Sequence, residues 1–108
     1  MDERAYELQA ETIKALAHPT RIAILELLRQ GETCVCEMCP DLGLAQANVS
    51  QHLAILRACN LVATRRDGVR ILYRVSDERV FEILELMGAI VYDQLNNARK
   101  ALAVLQEA

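Results

Sequence analysis

Apolar residues return along this chain at a helical period, then at a near-alternating one, then at a helical one again, and each change of period marks an expected change of structure. From Glu3 to Ala17, the residues Tyr6, Ala10, Ile13 and Leu16 fall on one stripe and predict a first amphipathic helix. Pro19 suits the first turn of a second helix, where its missing N–H would have had no partner. Ile22, Ile24, Leu25, Leu27 and Leu28 make that helix the expected centre of the core, and Gly31 is placed to end it in a left-handed cap. Thr33 can cap a short third helix, which Pro40 limits by removing a donor and crowding the carbonyl of Cys36. Gly43 turns the chain into a fourth helix, from about Ala45 to Cys59, that points Val49, Leu53 and Leu56 inward and leaves Asn48, Ser50, Gln51 and His52 outward. Asn60 can replace glycine where that helix closes.

After Leu61 the period shortens. Val62, Thr64 and Arg66 lead into Asp67-Gly68, and then Val69, Ile71, Tyr73 and Val75 alternate with Arg70, Leu72 and Arg74, the signature of a β-hairpin with a basic outer face. Ser76-Asp77-Glu78 starts a long last helix with an acidic first turn. Its apolar members Val80, Leu84, Met87, Val91, Leu95, Ala98, Leu102 and Leu105 follow steps of four and three. Such a seam would leave much apolar surface open on a monomer and implies dimerisation; the competing arrangement lays the helix on its own domain, with the first helix covering part of it.

At 108 residues, 53% of them apolar, the chain is expected to form a single domain (1–108) in which the terminal helices serve dimerisation. No run approaches the roughly 18 apolar residues of a membrane-spanning helix, so no membrane partner and a cytoplasmic location are expected. The formal charge of -3 disguises an uneven distribution: Ala45 to Val75 carries Arg57, Arg65, Arg66, Arg70 and Arg74 against Asp67, a local +4 that leaves -7 elsewhere. A phosphate backbone feels the local face, so this balance is compatible with double-stranded DNA as a partner. Helices, a short helix-turn-helix, a basic hairpin and a terminal helix together predict a mainly α winged helix-turn-helix with its fourth helix in the major groove. Gln46, Asn48, Ser50, Gln51 and His52 are the candidate base-reading residues, and Arg65, Arg66 and Arg70 the candidate phosphate contacts. No nucleophile, base and orienting group occur at readable spacing, so no enzymatic activity is expected.

Three of the four cysteines fall in Cys34-Val35-Cys36-Glu37-Met38-Cys39. Thiolates are soft ligands, and in a reducing compartment a C-x-C-x-x-C cluster reads as a soft-metal or metalloid site in preference to a disulfide staple, for which these positions are close together. Three thiolates neutralise a trivalent ion, whereas zinc normally seeks a fourth ligand. Positions two apart on a helix face different sides, so binding by Cys34, Cys36 and Cys39 together should distort a regular first turn. The alternative is oxidation or persulfide formation at the same thiols. Cys59 reads as a small buried apolar residue, and His18, with no second histidine near it in sequence, as structural or solvated.

The runs LAHPTRIAILELL, TCVCEMC, NVSQHLAILRACNLV and RRDGVRILYRV resemble the ArsR/SmtB family of dimeric metal-sensing repressors over nearly the whole chain. CVCEMC is similar to the arsenite-sensing branch. The resemblance implies a homodimer that binds operator DNA and is released when trivalent arsenic or antimony binds Cys34, Cys36 and Cys39, with cadmium, lead or zinc as alternative inducers. Ala45 stands where the family often has a serine cap. No histidine follows His52, so the zinc site that some relatives build on the last helix cannot form, and no cysteine precedes Cys34, which disfavours the branch that uses an N-terminal cysteine for cadmium or lead.

Overall fold

The computed structural model describes residues 2–107, which fall into two compact units divided between Glu78 and Arg79. In the first, Asp2 caps helix α1 (Glu3–Leu16), its carboxylate accepting from the Ala5 amide at 2.9 Å. Helix α2 (Pro19–Leu28) begins with Pro19 at its first position, as its fixed φ and missing donor favour, behind His18, whose Nδ1 accepts from the Thr20 amide. Ile24, Leu25 and Leu28 of α2 are buried, while Ile22 is exposed. Helix α3 (Val35–Leu42) is short, contains Pro40 and ends at Gly43 in the left-handed conformation (φ 65°). Helix α4 (Gln46–Ala58) follows directly and buries Val49, Leu53 and Leu56 completely. Asn60 closes it at φ 59°, a conformation that asparagine tolerates better than most residues.

The wing differs from the expected hairpin. Three strands, β1 (Thr33–Cys34), β2 (Val62–Asp67) and β3 (Arg70–Val75), form an antiparallel sheet in the order β1-β3-β2. Thr33 pairs with Tyr73 and Cys34 with Leu72. Thr33 is therefore a strand residue and not a helix cap; the residue preceding α3 is Cys34, in extended conformation and with no side-chain cap bond. The alternation also runs opposite to the expected one in β3: Leu72 is 8% exposed, Ile71 45% and Val69 99%. Leu72 lies across from the buried Cys34, and opposed residues share a face, so the side of β3 that carries Arg70 and Arg74 is apolar at its centre.

On α1 the predicted stripe is present but open, with Tyr6 and Ile13 more than half exposed and only Ala15 buried. The second unit is helix α5 (Arg79–Glu107), 29 residues and about 44 Å long at the usual rise. Along it Met87, Val91, Leu95, Leu102 and Leu105 are exposed. No helix among the described residues is long and apolar enough to cross a membrane.

Candidate nucleic-acid interface and cysteine segment

Helix α4 is fixed from beneath by its three buried apolar residues, which leaves the orientation of the others to the 3.6-residue period. Asn48 and Gln51 are exposed on its outer side. Gln46 and Ser50, also exposed, turn toward the wing, where they line an open cleft of about 320 Å³ with Cys34, Cys36, Arg70 and Tyr73. Ala45 precedes the helix in extended conformation (φ -69°, ψ 150°) without a side-chain cap, so no side-chain oxygen satisfies the first free amides.

His52 departs from the expected groove-facing position. It is half-buried against His18, their ring centroids 4.4 Å apart, and Arg21 Nη1 lies 3.3 Å from its Nδ1. Arginine has only donors, so Nδ1 of His52 must accept and the ring proton sits on Nε2. Burial first, and then the neighbouring His18 and Arg21, push the imidazole below its ordinary value near 6.5. Arg21 also donates from Nε to the Ala15 carbonyl at 2.6 Å and from Nη2 to that of Lys14, so one guanidinium ties the end of α1 to the middle of α4. Sequence reading missed this cluster because its members are adjacent only in space; the second histidine sought for His18 is His52.

Two of the three wing arginines expected to contact phosphate are engaged within the chain. Arg65 Nε donates to both oxygens of Glu32 at 2.8 and 2.9 Å, and Arg70 Nη2 donates to Glu37 Oε1 at 2.6 Å. Thr33 Oγ1 donates to the other Glu37 oxygen at 2.7 Å. The Arg65 hydrogen bond holds the Glu32 carboxyl below its usual range; the Thr33 hydroxyl, and then Arg70, do the same for Glu37. Arg66 forms no ion pair among the described residues and is exposed on the opposite side of β2 from Arg65. Of the three predicted phosphate contacts, Arg66 alone extends unengaged.

The cysteine segment also differs from the expected set of three thiols on one helix. Cys34 lies on β1 and is 4% exposed, while Cys36 and Cys39 lie on α3. Cys34 and Cys36 are joined in a disulfide, with Cα atoms 5.4 Å apart, and Cys39 and Cys59 are free and half-buried. The extended conformation at Cys34 permits the short-range pairing that a regular helical turn would oppose. In this oxidised state the two sulfurs offer no thiolate, and no group of three His, Cys, Asp or Glu side chains among the described residues is arranged to hold a metal ion. Arg70 Nη2, the nitrogen that binds Glu37, also lies 3.4 Å from Cys34 Sγ. Cysteine chemistry, wing and reading helix thus meet at one cleft.

Two helices joined by a tight turn and followed by a basic β-hairpin, to which a short strand preceding the two helices adds a third strand, define a winged helix-turn-helix DNA-binding protein. Residues 18–64 match the bacterial regulatory protein, arsR family. The chain is 39% identical to the HTH-type transcriptional regulator Rv0081 of Mycobacterium tuberculosis over 97% of its own length and 90% of that protein's. The crystal structure of Rv0081 superposes with a TM-score of 0.80, covering 89% of this chain and 97% of that one. The solution structure of the homodimeric winged helix-turn-helix domain of Mb0332 from Mycobacterium bovis is 31% identical, with a TM-score of 0.78 over 90% and 93% of the two chains. The probable mercury resistance operon repressor of Streptomyces lividans is 37% identical over 78% of this chain and 67% of its own. The chain belongs to the ArsR family of helix-turn-helix transcriptional regulators, and it is a regulator, not an enzyme.

Proposed function

We propose that this protein is a cytoplasmic homodimeric repressor that binds an inverted-repeat operator and releases it when the chemistry of Cys34, Cys36 and Cys39 changes. The observation that carries the reading is the shared cleft: Cys34 and Cys36 line the same hollow as Gln46 and Ser50 of the reading helix and Arg70 of the wing. A change at the sulfurs has a short path to both DNA-facing elements. The chain acts as one functional domain, 1–108, with α1 and α5 pairing two copies through their open apolar stripes. Each copy would present α4 to one of two successive major grooves about 34 Å apart.

The inducer is trivalent arsenic or antimony, bound by the reduced cysteines, with cadmium, lead or zinc as the alternatives. This rests on the CVCEMC run and on the charge match between three thiolates and a trivalent ion, and it requires the Cys34–Cys36 bond to be open. By linkage, operator DNA must weaken ion binding by the factor by which the ion weakens DNA binding. The disulfide favours a second reading, redox sensing. There a peroxide-type oxidant takes two electrons and two protons from the Cys34 and Cys36 thiols and leaves as water, and a dithiol reverses the step. Titrating reduced protein on its promoter DNA with each ion, and separately with peroxide, tests both. Release by arsenite or antimonite under reducing conditions supports the first reading, release by peroxide alone the second, and release by none refutes control by these cysteines.

A further inference from the structure

We propose that Glu32 and Glu37 are built-in competitors for the wing: they occupy Arg65 and Arg70 in the DNA-free protein, so the segment bearing the cysteines sets how much wing charge reaches DNA. This rests on the reading of the wing as a phosphate-contacting element and deepens it by naming the residues that regulate that contact. The two carboxylates flank Cys34 and Cys36 in sequence. Glu32 immediately precedes β1, and Glu37 stands in the first turn of α3. Because β1 is hydrogen-bonded to β3, both acids are carried beside the wing by the sheet itself.

The contacts have the geometry of substitutes for phosphate. Arg65 shares its Nε proton between both oxygens of Glu32, a charge-assisted contact of the kind a phosphate oxygen would also accept. Glu37 is aimed by Thr33, whose hydroxyl holds one oxygen and leaves the other for Arg70. The side chains of both pairs are partly exposed, so the pairs are individually weak and can be exchanged for DNA. A phosphate that takes Arg65 through Nε, or Arg70 through Nη2, must first displace a carboxylate, and that carboxylate then stands near the duplex as an unpaired negative charge. Arg70 adds the link to the sensor, since its Nη2 touches both Glu37 and Cys34 Sγ. A rearrangement at Cys34 therefore alters the hold on this arginine directly.

The test is DNA affinity as a function of salt, measured by fluorescence anisotropy on a random duplex and on the promoter fragment, for wild type, Glu32→Gln, Glu37→Gln and the double variant. The double variant is expected to bind both duplexes roughly threefold to tenfold more tightly. Its plot of log affinity against log salt should steepen by about one to two, because additional arginines then release counterions. Adding Arg70→Gln to Glu37→Gln should abolish that variant's gain. Thr33→Val, which removes only the hydroxyl aiming Glu37, should move affinity in the same direction by less, and guards against a folding defect in the charge variants. Wild-type affinity and slope in the double variant would overturn the proposal. So would weaker binding with an unchanged unfolding midpoint, which would mean that the pairs hold the wing in its DNA-binding position. None of these measurements involves an ion or an oxidant, so this inference and control by the cysteines fail separately.

Discussion

Gln51 and Arg66 are the proposed DNA contacts that test the division of labour most cleanly, since both are exposed and neither forms a side-chain hydrogen bond or ion pair among the described residues, unlike His52, Arg65 and Arg70. Gln51→Ala should relax base preference while sparing affinity for random DNA, whereas Arg66→Ala should weaken binding to all sequences and flatten the salt slope by about one. Equal losses by both variants on operator and random duplexes would contradict this division. His52 has a different signature. Its lowered pKa means that, between the ordinary value near 6.5 and the lowered one, the unfolded chain binds a proton that the folded chain refuses. Stability therefore rises with pH across that window and is lost as pH falls through it. His52→Gln removes the titration, so its unfolding midpoint should drop less than that of the wild type between about pH 7 and about pH 5.5. An equal or larger drop would show that His52 is not the responsible group.

At the scale of elements, the start of α4, like that of α3, lacks a side-chain cap. Ala45 already has the extended conformation of a cap but no oxygen to offer, so Ala45→Ser should stabilise the protein by about 1 kcal/mol in denaturant unfolding. No gain, or a loss, would mean that the first amides of α4 are satisfied by other partners. The five helices, the turn at Gly43, the closure at Asn60 and the buried Val49, Leu53 and Leu56 were legible from sequence because each is written locally, in a period or in a residue suited to positive φ. Strand β1 was not, since two residues are too few to show alternation. Several differences follow from it. Pairing of Cys34 with Leu72 turns Leu72 inward, removes Cys34 from α3 and brings Glu32 and Glu37 beside arginines 33 positions away in sequence. The encounter of His18 with His52 is equally non-local, and no periodicity encodes it.

For the whole molecule, the apolar residues exposed along α1 and, separately, along α5 support the proposed homodimer. Charged residues at Leu95 and Leu102 should give a monomer in sedimentation that binds DNA poorly; a wild-type monomer at micromolar concentration would remove the basis for two-site operator recognition. In the proposed function, the cysteine segment controls DNA binding. The most direct test of that control is operator binding by reduced protein before and after arsenite, and by oxidised protein, comparing the wild type with a Cys34→Ser, Cys36→Ser double variant. Both forms are expected to bind the operator when reduced, the wild type alone to be released by at least one treatment, and the variant to stay bound under both. Release of the double variant to the same extent as the wild type, or a wild type that holds its operator under both treatments, would contradict control by these cysteines.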